Sequence, residues 1–282
     1  MMFNFEDWSL NEKLEISRSK FDKMNGDPGT KFGIIMVTYQ RGDGKTTEYI
    51  KEAIDSVKAQ KHKNWKIYLI GDDYDDNDEF EDIASRVPKD KIWHQNMDLP
   101  GERLRFEGND LWHCGSNVGA NLALEQMKKD GIQWTTRLDH DDVYTPDHLS
   151  NFSKVVKNWP EVMFMGSVTK VSRQQNEGKG QYFRPFRDAV GLNDIKNDFK
   201  LNSPKIKDCS HSSLCWNIKE INLYYRSVRE QMLTEPVRDE PTGGDKDMVD
   251  RILMTCNDKN HSWMMVPKPS VKYRNKKGRL PR

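Results

Sequence analysis

The sequence predicts an α/β fold built on a mostly parallel sheet, and three observations carry this. Short apolar, β-rich runs alternate with helical stripes up to about residue 158, the order expected of strands joined by right-handed crossovers. Three of those runs end in polar residues: Thr38-Tyr39-Gln40-Arg41, Asp72-Asp73 and Asp139-His140-Asp141-Asp142. Parallel strands bring such ends to one edge of the sheet, where ligands bind. The length of 282 residues suits one large domain or two small ones with a sizeable core.

The elements run in order along the chain. Residues 1–30 are a polar extension in which Trp8, Leu10, Leu14 and Ile16 suit a short surface helix, closed by a turn at Asp27-Pro28-Gly29. Gly33 to Thr38 is a compact apolar run, the signature of a strand buried on both faces. Ile50, Ala53, Ile54 and Val57 fall at i, i+3, i+4 and i+7, which predicts a helix over about 47–60. Trp65 to Ile70 is a second strand and Lys91 to His94 a third. Ala120, Ala123, Leu124 and Met127 form another helical stripe that opens near Ser116-Asn117. Trp134 to Leu138 is a fourth strand, followed by a helix start at Thr145-Pro146-Asp147-His148-Leu149.

After residue 160 the alternation stops. Val162 to Val171 reads as a strand, residues 173–207 as a long loop or flap, and Ser212 to Trp216 as a strand. Gly243-Gly244-Asp245 opens a helix bearing Met248, Ile252 and Leu253. His261 to Val266 is a last strand, and the chain closes on a basic run around Lys272 to Arg279. There is no internal repeat and no low-complexity tract.

Composition narrows the function. Charged residues make up 32% of the chain but balance to a net charge of +1, which argues against a dedicated nucleic-acid binder. Cys114, Cys209, Cys215 and Cys256 form no CxxC pair and no zinc spacing, so they read as free thiols of a reducing compartment. No apolar run reaches a membrane span and the first residues lack the apolar core of a signal peptide. The expectation is a soluble, cytoplasmic protein with no integral membrane segment and no nucleic-acid partner.

The densest chemistry lies in Leu138-Asp139-His140-Asp141-Asp142. Crowded carboxylates repel one another, and a divalent cation is the commonest reason for them, because Mg²⁺ and Mn²⁺ choose oxygen ligands. The competing explanation is an acidic turn leading into a helix N-terminus, where Asp is favoured anyway. Gly42-Asp43-Gly44-Lys45-Thr46-Thr47 imitates the end of a phosphate-binding loop, but Tyr39 stands where the motif needs its first glycine. The simpler reading is a loop with a helix N-cap at Thr46 or Thr47.

Taken in order, these pieces resemble the family 2 glycosyltransferases. Gly33 to Arg41 is similar to that family's opening strand with its Thr-Tyr segment on the nucleotide. Ala53-Ile54-Asp55-Ser56-Val57-Lys58-Ala59-Gln60 resembles its first helix, and Asp72-Asp73 its acidic pair after the second strand, one of which holds the base. Asn117-Val118-Gly119-Ala120-Asn121 resembles the helix start before the metal strand, and Leu138-Asp139-His140-Asp141-Asp142 the family's DXD motif. Gly244-Asp245-Lys246-Asp247-Met248, with Arg251, resembles the segment that supplies the base, although Gly244 stands where a Glu is usual. Val271-Lys272-Tyr273-Arg274 resembles the closing segment, with Asn275 leading into a basic run where many members place a His. The resemblance covers about residues 32–275.

The resemblance implies a GT-A fold, a Rossmann-like nucleotide-binding half with a mixed central sheet and an appended acceptor-binding half. Residues 31–282 would be one such domain, with the nucleotide-sugar half at 31–145 and the acceptor half and basic tail at 146–282. It implies an inverting, metal-dependent transfer of a sugar from a nucleoside-diphosphate sugar, with UDP favoured by family frequency, to a carbohydrate or other hydroxyl acceptor. Asp141 would ligate Mn²⁺ or Mg²⁺, Asp139 would face the ribose or the metal, and His211 is a candidate third ligand. Thr38, Tyr39, Arg41, Asp72, Asp73, Asn117, Asp139 and Arg274 would line the donor site.

Inversion needs one carboxylate to take the acceptor proton, and Asp245 is the candidate, with Asp247 as runner-up. Arg274, Lys276 and Lys277 could clamp the diphosphate, and Trp112 and Trp216 could stack on sugar rings. Asp142 is expected only to cap the segment after it, and His140 to point away from its acidic neighbours. Two rival functions share these residues: a nucleotidyltransferase or NTPase using the same acidic strand end, and a non-catalytic carbohydrate-binding protein of this fold.

Overall fold

The protein is described by a computed structural model, which covers residues 20–98, 115–171, 210–233 and 244–274. The suggested helix around Trp8, the flap at 173–207, Trp112, Cys114, Cys209, Lys276 and Lys277 lie outside the described residues.

The first half follows the alternation read from the sequence. Strand β1 (Phe32–Thr38) leads through helix α1 (Thr46–Lys58) to β2 (Trp65–Gly71). Helix α2 (Asn77–Ser85) and a short 3-10 turn at Lys89–Lys91 lead to β3 (Ile92–Asn96). Helix α3 (Asn117–Lys129) precedes β4 (Trp134–Arg137). β1 pairs in parallel with β2 on one side and β4 on the other, and β2 with β3.

The second half turns the sheet mixed. It holds β5 (Val143–Tyr144), α4 (His148–Asn158), β6 (Val162–Val171) and a 3-10 turn at His211–Ser213 that runs into β7 (Leu214–Asn217). Helices α5 (Val228–Leu233) and α6 (Gly244–Asp258) and strand β8 (Ser262–Tyr273) follow. β7 runs antiparallel to both β4 and β6, β8 runs parallel to β6, and β5 closes the edge antiparallel to β8. The sheet order is β3-β2-β1-β4-β7-β6-β8-β5.

The core has two layers because β1 and β2 bury both faces. Phe32, Ile34 and Met36 pack with Ile50, Ile54, Phe80, Ile83, Leu149 and Phe152 on one side. Ile35, Val37, Tyr68 and Ile70 pack with Ala120, Leu124, Met127, Met248 and Ile252 on the other. Gly119 allows α3 to lie close to the sheet: a Cβ there would stand 3.0 Å from Val37 and 3.1 Å from Ile70. Gly71, at the end of β2, is equally constrained, since a Cβ would meet the Asn96 side chain at 2.6 Å.

Several elements depart from the sequence expectation: β5 and α5 form where none was expected, and Ser212-Ser213 lie in the 3-10 turn ahead of β7 and not in the strand. α2 forms where no helix was expected, capped by Asp76, whose carboxylate accepts the Glu79 N–H at 3.0 Å. Lys45, not Thr46 or Thr47, sits at the N-cap of α1. The Thr46 hydroxyl instead accepts the Arg41 N–H at 2.9 Å and donates to the Tyr39 carbonyl at 3.0 Å, which shapes the loop after β1. The last strand runs on past Val266 to Tyr273, through Pro267 and Pro269. Its pairing with β6 shifts register around Ser167 and Val168, which absorbs residues that have no N–H to donate.

Candidate active site

The topology assembles the site. Thr38 is level with Gly71, and Leu138 continues β4 by donating its N–H to the Ile35 carbonyl at 2.9 Å. The three polar strand ends therefore share one edge. Because β7 is antiparallel to β4, the His211–Ser213 turn ahead of it arrives beside the end of β4. Because β8 runs back along β5, with Lys272 opposite Val143, Arg274 arrives beside Asp142.

Asp139 to Asp142 is a tight turn and not an extended segment: the Asp142 N–H donates to the Asp139 carbonyl at 3.0 Å. This sorts the four side chains. Asp139 and Asp141 are partly exposed, with side chains 31% and 33% accessible. His140 and Asp142 turn inward and are buried. His140 lies edge-on to Tyr39 with ring centroids 5.2 Å apart, and burial holds its pKa below the ordinary value. Asp142 is not the cap that the sequence suggested. Its carboxylate accepts the Ser212 hydroxyl at 2.7 Å and the Arg274 N–H at 3.3 Å. Burial, followed by its neighbours Asp139 and Asp141, pushes its pKa well up, and the two donors oppose that.

Two arginines flank the turn. Arg137, buried at the end of β4, donates through Nε to Asp139 at 2.8 Å and through Nη2 to the Ser116 hydroxyl at 2.6 Å. Burial disfavours its charge, but Asp139 and Tyr225 more than offset this and hold its pKa above the ordinary value. Arg41 reaches Asp141 at 3.7 Å from the loop after β1 and is also paired with Asp43 at 3.2 Å. Arg274 sits behind the turn. It donates through Nε to the Asp141 carbonyl at 3.0 Å, pairs with Glu52 on α1, and covers the Tyr49 ring at 4.1 Å. The side chain expected to clamp a diphosphate is thus committed to holding the turn.

Thr38, Tyr39, Asp72 and Asp73 line the neighbouring strand ends. The Thr38 hydroxyl is bonded to the Tyr74 hydroxyl at 2.8 Å, and the Asp72 N–H donates to the Thr38 carbonyl at 2.8 Å. Asp72 is buried. Asp73 is partly exposed and has a left-handed backbone, φ +57°. Asn96 grips this turn twice, accepting the Tyr74 N–H at 3.0 Å and donating to the Tyr74 carbonyl at 3.1 Å.

Other expected residues fall elsewhere. Asn117 is buried and donates to the Arg226 carbonyl at 2.8 Å. Asn121, one turn on, accepts the Tyr225 N–H at 2.7 Å and donates to the Tyr225 carbonyl at 2.9 Å. Both asparagines pin the segment that carries Tyr225, whose ring faces Arg137 and His211. Trp216 is fully buried in the core and offers no platform for a sugar.

His211 is buried against Tyr225, with centroids 5.6 Å apart, and burial followed by Arg137 drives its pKa well below the ordinary value. It does not join Asp139 and Asp141 in a ligand set, and among the described residues no three His, Cys, Asp or Glu side chains could together hold a metal ion. Two part-exposed carboxylates do fit a hard cation that takes one or two carboxylates and completes its shell with water and phosphate.

Asp245 is the second residue of α6. Asp247, the runner-up for the base, is corrected by the structure: its carboxylate is gripped by Arg226 and by Arg251, the latter at 3.0 Å. Burial alone would raise its pKa, but the two guanidiniums outweigh it and hold it below the ordinary carboxylate value. A carboxylate so held is a poor proton acceptor.

Sequence reasoning missed Arg137, Ser212 and Tyr225. Arg137 left a trace, a cation inside an otherwise uncharged strand run two residues before an Asp. Ser212 left none, because its place depends on strand pairing across more than seventy residues.

A mixed α/β sheet with an acidic turn at the end of a central strand, beside two further polar strand ends, defines the GT-A class of fold. The chain belongs to family 2 of that class: residues 33–216 match the family described as Glycosyl transferase family 2. An uncharacterized glycosyltransferase of Acanthamoeba polyphaga mimivirus is 33% identical over 134 residues, covering 48% of this chain and 54% of that protein. Among solved structures, TarS of S. aureus superposes with a TM-score of 0.57 at 15% identity, covering 86% of this chain and 60% of that one. The mannosyltransferase PcManGT of Pyrobaculum calidifontis gives 0.52 at 13%, covering 95% and 66%. The chain thus spans little more than half the length of that viral relative. Among the described residues no helix is long and apolar enough to cross a membrane.

Proposed function

We propose that the protein transfers a sugar from a nucleoside-diphosphate sugar, a UDP-sugar, to a hydroxyl acceptor with inversion at the anomeric carbon. The observation that carries the reading is the shared edge: the Asp139–Asp142 turn stands beside the strand ends of Thr38 to Arg41 and of Asp72-Asp73, with Arg41 reaching across to Asp141. TarS has been solved with UDP and with UDP-GlcNAc, and PcManGT with GDP-Man and Mn²⁺, which supports a nucleotide-sugar donor and a divalent ion.

In this reading one of Asp72 and Asp73 meets the base, and Asp141 and Asp139 would hold Mn²⁺ or Mg²⁺. When bound, the ion supplies Lewis-acid stabilisation of charge on the departing diphosphate. Arg41 adds positive charge on the same side. Asp139 also faces the ribose. Asp245 takes the proton from the acceptor hydroxyl as it attacks, which general-base chemistry requires of one carboxylate. His211 stays outside the ligand pair.

The test is release of nucleoside diphosphate over a panel of nucleotide-sugars, with and without Mn²⁺. Metal-dependent release from a UDP-sugar is expected. No release from any donor, by folded protein supplied with metal and hydroxyl acceptors, overturns the reading.

A further inference from the structure

The acidic turn contains a carboxylate that faces the wrong way to bind anything. Asp142 is 1% exposed. A fully buried carboxylate is costly unless it is satisfied, so its partners tell what it is for. It has two, from two separate elements, and each also holds the backbone of one outward aspartate. Ser212 donates its hydroxyl to Asp142 at 2.7 Å while accepting the Asp139 N–H at 3.0 Å. Arg274 donates its backbone N–H to Asp142 at 3.3 Å while its Nε donates to the Asp141 carbonyl at 3.0 Å. The arrangement is a frame: one inward carboxylate, two bridges, and the two outward carboxylates hung on those bridges.

We propose that Asp142, Ser212 and Arg274 are positioning residues that fix the angle at which Asp139 and Asp141 face the donor, a role that rests on the transferase reading above. Hung on fixed points, the two outward carboxylates need no reordering when a ligand arrives, which is the physical basis of outer-shell tuning at ion sites. The frame also explains why Arg274 lies behind the turn, stacked on Tyr49 and paired with Glu52.

The variants are Ser212→Ala, Asp142→Ala and Asp142→Asn. Asp142→Asn would keep both links, because the Ser212 oxygen can accept from an amide as well as from the Asp139 N–H, while the amide oxygen serves Arg274. Binding of Mn²⁺ together with UDP is measured by calorimetry, and hydrogen exchange over residues 137–144 is followed with no ligand present. Ser212→Ala and Asp142→Ala are expected to weaken binding by about tenfold or more and to exchange faster, while Asp142→Asn stays near wild type in both. Should Ser212→Ala fail to fold, the Asp142 pair carries the comparison. Variants that bind as tightly and exchange as slowly as wild type overturn the positioning role alone. Wild-type protein that binds neither Mn²⁺ nor UDP overturns the transferase reading and the positioning role with it.

Discussion

Two acidic segments of similar composition lie in this chain, and they behave in opposite ways. Asp139-His140-Asp141-Asp142 ends a central strand, and Asp245-Lys246-Asp247 opens a helix. In the turn, one carboxylate is spent inward and two remain partly exposed. At the helix, Asp247 is fully spent, clasped between Arg226 and Arg251, and Arg251 in turn donates to the Tyr224 carbonyl at 2.6 Å. Counting acids in a sequence therefore overstates the chemistry available. What matters is which carboxylates stay accessible, and that depends on donors from distant elements.

The contrast can be broken in several places. The largest expected effect is at Asp245: Asp245→Asn should lower turnover by about 10²- to 10⁴-fold, the usual contribution of a positioned general base. Normal turnover in that variant, measured by nucleotide release, moves the base elsewhere. Asp247→Ala should instead act on the fold. It deprives two buried arginines of their shared carboxylate, and breaking a buried ion pair costs about 3–5 kcal/mol, read in a urea titration. A variant as stable as wild type would show that the clasp is ornamental.

A third effect depends on pH. Burial drives the pKa of His148 down from 6.5 to about 3, with Nδ1 bonded to the Ser270 hydroxyl at 2.6 Å and the ring stacked on Tyr144. Between those values the unfolded chain binds a proton that the folded protein refuses. Stability contributed by the neutral ring is complete above about pH 6.5 and falls with pH below it, by up to about 1.4 kcal/mol per pH unit. His148→Asn should make that slope shallower in urea midpoints taken from pH 7.5 to 5, with the buried His140 and His211 supplying what remains. The smallest effect is at the cap of α2, where Asp76→Ala should cost about 1 kcal/mol in thermal unfolding and leave donor binding alone.

How much was legible in the sequence depends on the range of the forces involved. The continuous apolar runs of β1, β2 and β4 and the period-3.6 stripes of α1 and α3 are local, and each element lies where its pattern placed it. α2 escaped because its stripe is only Phe80, Ile83 and Ala84 in an acidic run, although Asp76 and Glu79 stood at capping distance. β5 is two residues long and exists only because β8 reaches it, which no local pattern encodes. The same divide runs through the site. The acidic turn and the strand ends were readable as motifs. The clasp on Asp247, the inward turn of Asp142 and the duty of Asn117 were not, because Arg226, Ser212 and Arg274 come from far along the chain.

The most direct measurement is a titration of wild-type protein, Asp141→Ala and Asp245→Asn with UDP, with and without Mn²⁺. Asp245→Asn should bind like wild type, and Asp141→Ala should lose the metal-dependent part of binding. Metal-dependent binding that survives in Asp141→Ala would contradict the assignment of the outward carboxylates of the turn as the donor's anchor.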